Sequence, residues 1–164
     1  MAMNVSLLQE FEQEMAIARR VIERLPEDKY DWAPHEKSMK AGRLASHITQ
    51  MLGWIPLALS QDSLDLSKGH EAFNAASRAE MLEMFDKNVE QSRHAIQSAS
   101  DEALLKPWSL VNGDQILATM PKIAVVGTFV INHIIHHRGQ LSVYLRLTDT
   151  PVPSIYGPSA DEGM

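Results

Sequence analysis

The 3.6-residue spacing of apolar side chains limits the fold of this chain more than any other feature of its sequence. Residues 4–24, 39–59, 77–99 and 121–147 each place apolar side chains three and four positions apart, which is typical of helices with one apolar face. The alternation of β-branched and polar residues that indicates strands is almost absent. We therefore expect an all-α four-helix bundle, formed by a single domain over residues 1–164.

One segment interrupts the helical spacing before the last of these helices. Residues 107–119 contain Asn112 and Gly113 between apolar residues, and this pair favours a tight turn. The sequence thus predicts a short irregular or hairpin insertion before the fourth helix. Pro56 falls inside the second helical segment, and we expect it to bend or end the last turn there. Residues 149–164 include three prolines and are expected to be irregular.

The composition excludes several classes of function. Asp and Glu number 21 against 15 Lys and Arg, and the resulting net charge of −6 would repel the phosphate backbone of a nucleic acid. Cysteine is absent, which excludes disulfides, cysteine zinc sites and a cysteine nucleophile. The N-terminal residues lack the basic start of a secretory signal, and the apolar stretches are too short to span a membrane. We expect a cytoplasmic protein that binds neither nucleic acid nor membranes.

Three of the seven histidines fall on apolar helix faces. His133 and His137 lie four residues apart in the last helical segment, so their side chains are one turn apart on one face. His47 shares a face with Leu44 and Met51 in the second segment. Three neutral imidazoles are a common ligand set of catalytic zinc, in which the fourth position stays open for water or substrate. The spacing leaves two alternatives open: a metal site, or hydrogen-bonded histidines of the core.

Other polar residues accompany this face. Gln140 and Tyr144 continue the stripe of the two helical histidines and are candidates to orient a substrate, and Glu10 or Glu14 in the first segment is a candidate proton acceptor. Arg138 falls just outside the apolar face and is expected to make a contact between helices or subunits. Three histidines are expected to lie in solvent, away from any site: His35, His70 and His94.

Several runs of sequence resemble the DinB family (DinB/YfiT-like metalloenzymes). Residues 133–141 read HIIHHRGQL and residues 151–157 read PVPSIYG, which together resemble the C-terminal signature of that family. Residues 25–32, LPEDKYDW, and residues 39–47, MKAGRLASH, resemble its first connector and the start of its second helix. The resemblance covers essentially the whole chain and implies a four-helix bundle of the DinB/YfiT-like type.

The resemblance also implies a homodimer and a divalent metal ion, commonly nickel or zinc. Three histidines hold the ion in the family, and the matching residues here are His47, His133 and His137. His136 lies beside them and would replace His137 if the helix were rotated. Family members with a known activity use a metal-bound low-molecular-weight thiol, such as bacillithiol or mycothiol, in S-transfer or isomerisation. The family name refers to DNA-damage-inducible expression and does not imply DNA binding.

Two functions follow as expectations. In the first, the chain is a metal-dependent enzyme whose ion activates water or a small-molecule thiol for hydrolysis or S-transfer. A chain without cysteine must take such a thiol from a bound small molecule. In the second, the chain is a non-enzymatic stress or ligand-binding module that the metal ion stabilises. His137→Ala separates the two, because it should cost thermal stability if the ion is structural and only metal and activity if the ion is catalytic.

Overall fold

The structure is a computed structural model that describes residues 2–69 and 71–163. Its α-helices are α1 (Met3–Arg24), α2 (Ala41–Met51), α3 (Trp54–Ser60), α4 (Arg78–Ser98), α5 (Asp101–Leu105), α6 (Lys122–Ala124) and α7 (Asn132–Leu147). A π-helical segment, Val125–Ile131, joins α6 to α7 without a break. The strands are β1 (Ser63–Asp65), β2 (Pro107–Asn112) and β3 (Gln115–Pro121). In the described part of the chain, no helix combines the length and the apolar character needed to cross a membrane.

The expectation of an all-α four-helix bundle is wrong, because the chain also forms a three-stranded mixed sheet. β2 pairs antiparallel with β3, and β1 adds to the other edge of β2 in parallel. Gly113 lies in the turn between β2 and β3 with a φ of +60°, a conformation that glycine adopts without strain. The Asp65 carboxylate accepts a hydrogen bond from the Gly113 amide over 3.0 Å, which joins β1 to this turn.

The helix expected over residues 39–59 is divided into α2 and α3. The break falls at Leu52 and Gly53, four and three residues before Pro56. Proline lacks an amide hydrogen, and its ring clashes with the carbonyl four residues earlier, so the break lies where the backbone hydrogen bond to Leu52 would be lost. The Leu52 carbonyl instead accepts hydrogen bonds from the Ile55 amide over 3.1 Å and from Ser92 Oγ on α4 over 2.9 Å.

Four helices pack around the main hydrophobic core. α1 packs against α4 and α7, and α2 packs against the same two helices. The largest apolar side chains buried there are Phe11, Ile22, Leu25, Leu44, Ile48, Leu52, Ile55, Met81, Phe85 and Ile96. A second, smaller cluster of Ala58, Trp108 and Val125 joins the sheet to α3 and the π-helical segment. Because α2 and α7 face each other across this core, histidines on their facing sides come together.

Candidate metal centre

His47, His133 and His137 form one cluster between α2 and α7. The Nε2 atoms of His47 and His133 are 3.4 Å apart, and those of His133 and His137 are 2.7 Å apart. One nitrogen from each ring lies within 4.8 Å of the other two, which is within the reach of a single metal ion. His137 is buried, and the other two rings are half-buried. The three residues that sequence analysis singled out therefore meet in space.

Helix geometry and helix packing each bring part of this cluster together. His133 and His137 are one turn apart on α7, so the spacing of their side chains follows from the helix itself. His47 reaches them from α2 because α2 packs directly against α7. The ring centroids of His47 and His137 are 4.8 Å apart, and the two rings meet edge to face. The cluster thus depends on both a local pattern and the tertiary packing of the helices.

Neighbouring groups outside the cluster contact the His137 and His133 rings. His137 Nδ1 lies 2.7 Å from Gln140 Oε1, one turn further along α7. The His133 ring also interacts with the backbone of Phe129 in the π-helical segment, and this interaction opposes part of the decrease of its pKa that burial causes. A ring that donates through Nδ1 leaves the lone pair of Nε2 for the cluster, and the contact with Gln140 favours this tautomer in His137. Outer hydrogen bonds of this kind orient the histidines of metal sites.

The Nε2 atoms of His133 and His137, 2.7 Å apart, either share a hydrogen bond, in which one ring carries its proton on Nε2, or share a metal ion. Burial is the main cause that lowers the pKa of both His133 and His137 below the usual histidine value. Burial also lowers the pKa of His47, to about 4, with further contributions from the charges of His137, His133 and Arg43. At neutral pH the three rings are therefore neutral imidazoles, the form that binds metal ions. The residues fit a divalent cation.

The other histidines lie outside the cluster. His136 is exposed, and although its ring centroid is 4.9 Å from that of His137, it does not belong to the group of nitrogens that converge. His35 and His94 are exposed, as expected for residues in solvent. His70 lies outside the described residues.

The further residues proposed from the sequence have different surroundings. Tyr144 is buried and packs edge to face on Trp32 with ring centroids 5.3 Å apart. Glu10 is exposed, whereas Glu14 is buried and accepts hydrogen bonds from Arg138 over 2.6 Å and from the Tyr156 hydroxyl over 2.8 Å. Glu14 is thus occupied by an ion pair and is not a free proton acceptor. The prediction that Arg138 joins two helices is confirmed, because Glu14 lies on α1.

Sequence analysis missed Arg43. It lies on α2 one turn before His47, and its positive charge contributes to the low pKa of that histidine. The i, i+4 spacing of Arg43 and His47 was the available signal, since it places both side chains on one helix face. Nothing in the sequence, however, indicated whether a carboxylate elsewhere would pair with this arginine.

Comparison with known proteins agrees with the geometry of the fold. A model of the DinB family matches residues 1–163. An uncharacterised protein of Bacillus subtilis, YrdA, is 25% identical over 159 residues, which cover 94% of this chain and 89% of that protein. The crystal structure of the DinB-like protein YjoA from Bacillus subtilis has a TM-score of 0.72 at 18% identity, over 92% of this chain and 97% of that one. The crystal structure of a DinB-like protein from Bacillus cereus has a TM-score of 0.71 at 23% identity, over 92% of this chain and 95% of that one. The chain belongs to the DinB family.

Proposed function

We propose that this protein is a metal-dependent enzyme whose divalent ion, nickel or zinc, is held by His47, His133 and His137. The observation that carries the proposal is the convergence of three imidazoles on one point, with one nitrogen from each ring within 4.8 Å of the other two. Three imidazoles accept several divalent metals, and zinc and nickel are among them. Three protein ligands, with no cysteine available as a fourth, favour a site that stays open to a substrate.

The chemistry of such a site is the activation of a weak nucleophile. A divalent ion held by the three histidines would supply Lewis acidity, which lowers the pKa of a water molecule or a small-molecule thiol bound to it. The chain has no cysteine, so a thiol must be brought by a separate small molecule. The reaction classes that we propose are therefore hydrolysis, with water as the nucleophile, and S-transfer, with an external low-molecular-weight thiol.

The residues around the cluster contribute orientation. Gln140 Oε1 lies 2.7 Å from His137 Nδ1, and by accepting the proton of that nitrogen it directs Nε2 of His137 into the cluster. Tyr144, two turns beyond His137 on α7, packs its ring against Trp32 and extends the apolar surroundings of the helix face that carries the cluster. Glu14 is tied to Arg138, so a proton leaving the nucleophile must go to another group or to solvent.

Elemental analysis of the protein purified without a histidine tag tests the proposal. We expect about one equivalent of nickel or zinc per chain in the wild type and none in His133→Ala. His136→Ala is the matched control, because it removes an exposed histidine of the same helix that lies outside the cluster. A metal-free wild type after incubation with either ion, or a His133→Ala variant that keeps its metal, would contradict the proposal.

A second measurement separates an enzyme from a ligand-binding module that the ion stabilises. For an enzyme, chelation of the wild type and His137→Ala should each remove the metal and leave the chain folded, with a melting temperature close to that of the metal-loaded wild type at the same pH. For a module in which folding and metal binding are coupled, chelation of the wild type and the His137→Ala substitution should both unfold the chain at moderate temperature. Circular dichroism with and without a chelator distinguishes the two results.

A further inference from the structure

Seven of the eight arginines have an acceptor within the chain. Each of these seven donates to a carboxylate or a backbone carbonyl: Arg19 to Asp86, Arg20 to Ser154, Arg24 to Glu162, Arg78 to Glu23, Arg93 to Glu12, Arg138 to Glu14 and Arg146 to Asp161. Arg43 is the exception among the described residues. Its Nη1 atom is buried and has no hydrogen-bond partner.

A buried guanidinium nitrogen without an acceptor is costly, since it has given up water and gained nothing in return. An arginine that served only solubility would extend into water, because its long stem allows the charged end to remain hydrated. The nearby acidic side chains are already engaged. Asp31 accepts from Lys40 over 2.7 Å, and Glu27 accepts from the backbone amide of Arg78 over 2.6 Å. Neither carboxylate is hydrogen-bonded to Arg43, so water or a ligand from outside the chain would supply the acceptor that its Nη1 atom lacks.

The position of Arg43 relates this missing acceptor to the candidate metal centre. Arg43 and His47 are one turn apart on the same face of α2. Arg43 also lines a cleft of about 380 Å³ at the N-terminal end of α2, which offers space for a small molecule beside it. Ser46, the residue before His47, lines the same cleft, so a ligand held by Arg43 would lie beside the turn of α2 that carries His47.

We infer that Arg43 binds a carboxylate of the small molecule on which the site acts, either the substrate or the external thiol. This inference rests on the proposed function and names the class of ligand for the same site. The planar fork of a guanidinium matches a carboxylate with two parallel hydrogen bonds. A single cationic side chain also balances the one negative charge of a carboxylate, whereas it would leave one charge of a phosphate dianion unbalanced.

A pair of probes that differ only in charge tests the inference. 3-Mercaptopropionate carries a carboxylate, and 3-mercaptopropionamide carries a neutral amide of the same length. Calorimetric titration of the zinc-loaded wild type should give an affinity for the acid about 10- to 100-fold higher than for the amide, the range expected for a charged hydrogen bond. Arg43→Gln should bind both probes equally, at the affinity that the wild type has for the amide.

Two further variants make this test specific. Arg19→Gln is the matched control, because it removes an exposed arginine paired with Asp86 and should keep the full preference for the acid. Arg43→Lys keeps the charge but loses the fork, and should retain only part of the preference. If Arg43→Gln does not fold, the reduced preference of Arg43→Lys carries the test. Equal preference in the wild type and in the Arg43 variants, or no preference in the wild type, would overturn the inference.

Metal content distinguishes failure of this inference from failure of the proposed function. Zinc bound by the wild type and by Arg43→Gln, but not by His133→Ala, supports the metal site whatever the probes show. The same comparison is made on the metal-free protein with propionate and propionamide. NMR chemical shifts of α2 residues measure the binding of the two probes. A preference for propionate that Arg43→Gln abolishes supports the carboxylate site even if no metal binds, and the absence of a preference in both experiments contradicts it.

Discussion

Arg138 Nη1 on α7 donates a hydrogen bond to Glu14 Oε2 on α1 over 2.6 Å, and both side chains are almost completely buried. The other end of the guanidinium donates to the Tyr156 hydroxyl over 2.6 Å, and that hydroxyl donates in turn to Glu14 over 2.8 Å. The three groups form a closed set of hydrogen bonds among α1, α7 and the C-terminal segment. Arg138 directly follows His137, so this set also fixes the helix that carries two histidines of the cluster.

Breaking this buried ion pair should destabilise the protein strongly. Arg138→Met removes the cation and leaves the Glu14 carboxylate buried without its partner, which costs about 3–5 kcal/mol in the free energy of unfolding. Urea denaturation at pH 7 measures the effect. Arg19→Met is the control, because the Arg19 and Asp86 side chains are exposed and their pair should contribute less than about 1 kcal/mol. Similar losses in the two variants would show that the Arg138 pair has no special role.

Gln140 should set the metal affinity of the cluster without being a ligand. Its Oε1 atom accepts from His137 Nδ1, so Gln140→Leu removes the acceptor while keeping a side chain of similar size. We expect the zinc affinity to fall about 10-fold, at the lower end of the effect of outer hydrogen bonds in metal sites. Competition with a fluorescent zinc chelator measures it, and Asn132→Ala, exposed at the start of α7, provides the control. Unchanged zinc affinity in Gln140→Leu would mean that His137 binds zinc equally well without this hydrogen bond.

The sequence predicted the candidate site better than the fold. The positions of His133 and His137 follow from helix periodicity alone, and His47 could be added because its helix face is apolar. The sheet could not be predicted in this way. β1 has only three residues, too few for a period to be recognised, and its partner strand lies far along the chain. Its pairing depends on where α3 and the β2 to β3 turn are placed, which is a property of the tertiary structure.

Glu14 and Arg43 show a second limit of what can be predicted from the sequence. Glu14 was a candidate proton acceptor because of its charge and helix face, but tertiary packing pairs it with Arg138. Arg43 was not a candidate site residue in the sequence, because an arginine near a helix N-terminus is common. Only the structure shows that it lacks the hydrogen-bond acceptor that the other arginines have. Sequence spacing can place a charged residue on a helix face. Whether an opposite charge meets it there is decided by residues that are distant in sequence.

The homodimer implied by the resemblance stays a prediction. Val143 and Leu147 lie one turn apart on α7, and each is more than half exposed. Apolar residues that share an exposed helix face are suited to an interface with a second copy of the chain. We expect light scattering to give a mass about twice 18.3 kDa for the wild type and close to 18.3 kDa for Val143→Glu/Leu147→Glu. Ile116→Glu on β3, also exposed, is the control; a monomeric wild type, or a dimer that survives the α7 substitutions, would contradict the prediction.

The low pKa of His47 predicts how the stability of the metal-free protein depends on pH. In the unfolded chain His47 binds a proton near pH 6.5, whereas in the folded protein burial lowers its pKa to about 4. Between these values the unfolded state binds more protons than the folded state, so the free energy of unfolding should fall as the pH decreases from 6.5 towards 4 and should be independent of this group above about pH 7.

The slope of the free energy of unfolding against pH, and the contribution of His47 to it, can be measured. One fully shifted group contributes about 1.4 kcal/mol per pH unit, and half-exposed His47 is expected to contribute part of that amount because solvent screens it. Urea denaturation in the presence of a chelator at pH 7.5, 6 and 5 gives the slope for the wild type. His47→Gln should have a shallower slope, whereas His94→Gln, which removes an exposed histidine, should keep that of the wild type. If all three proteins lose stability equally between pH 6.5 and 5, other groups are responsible for the acid sensitivity and the folded pKa of His47 is close to its ordinary value.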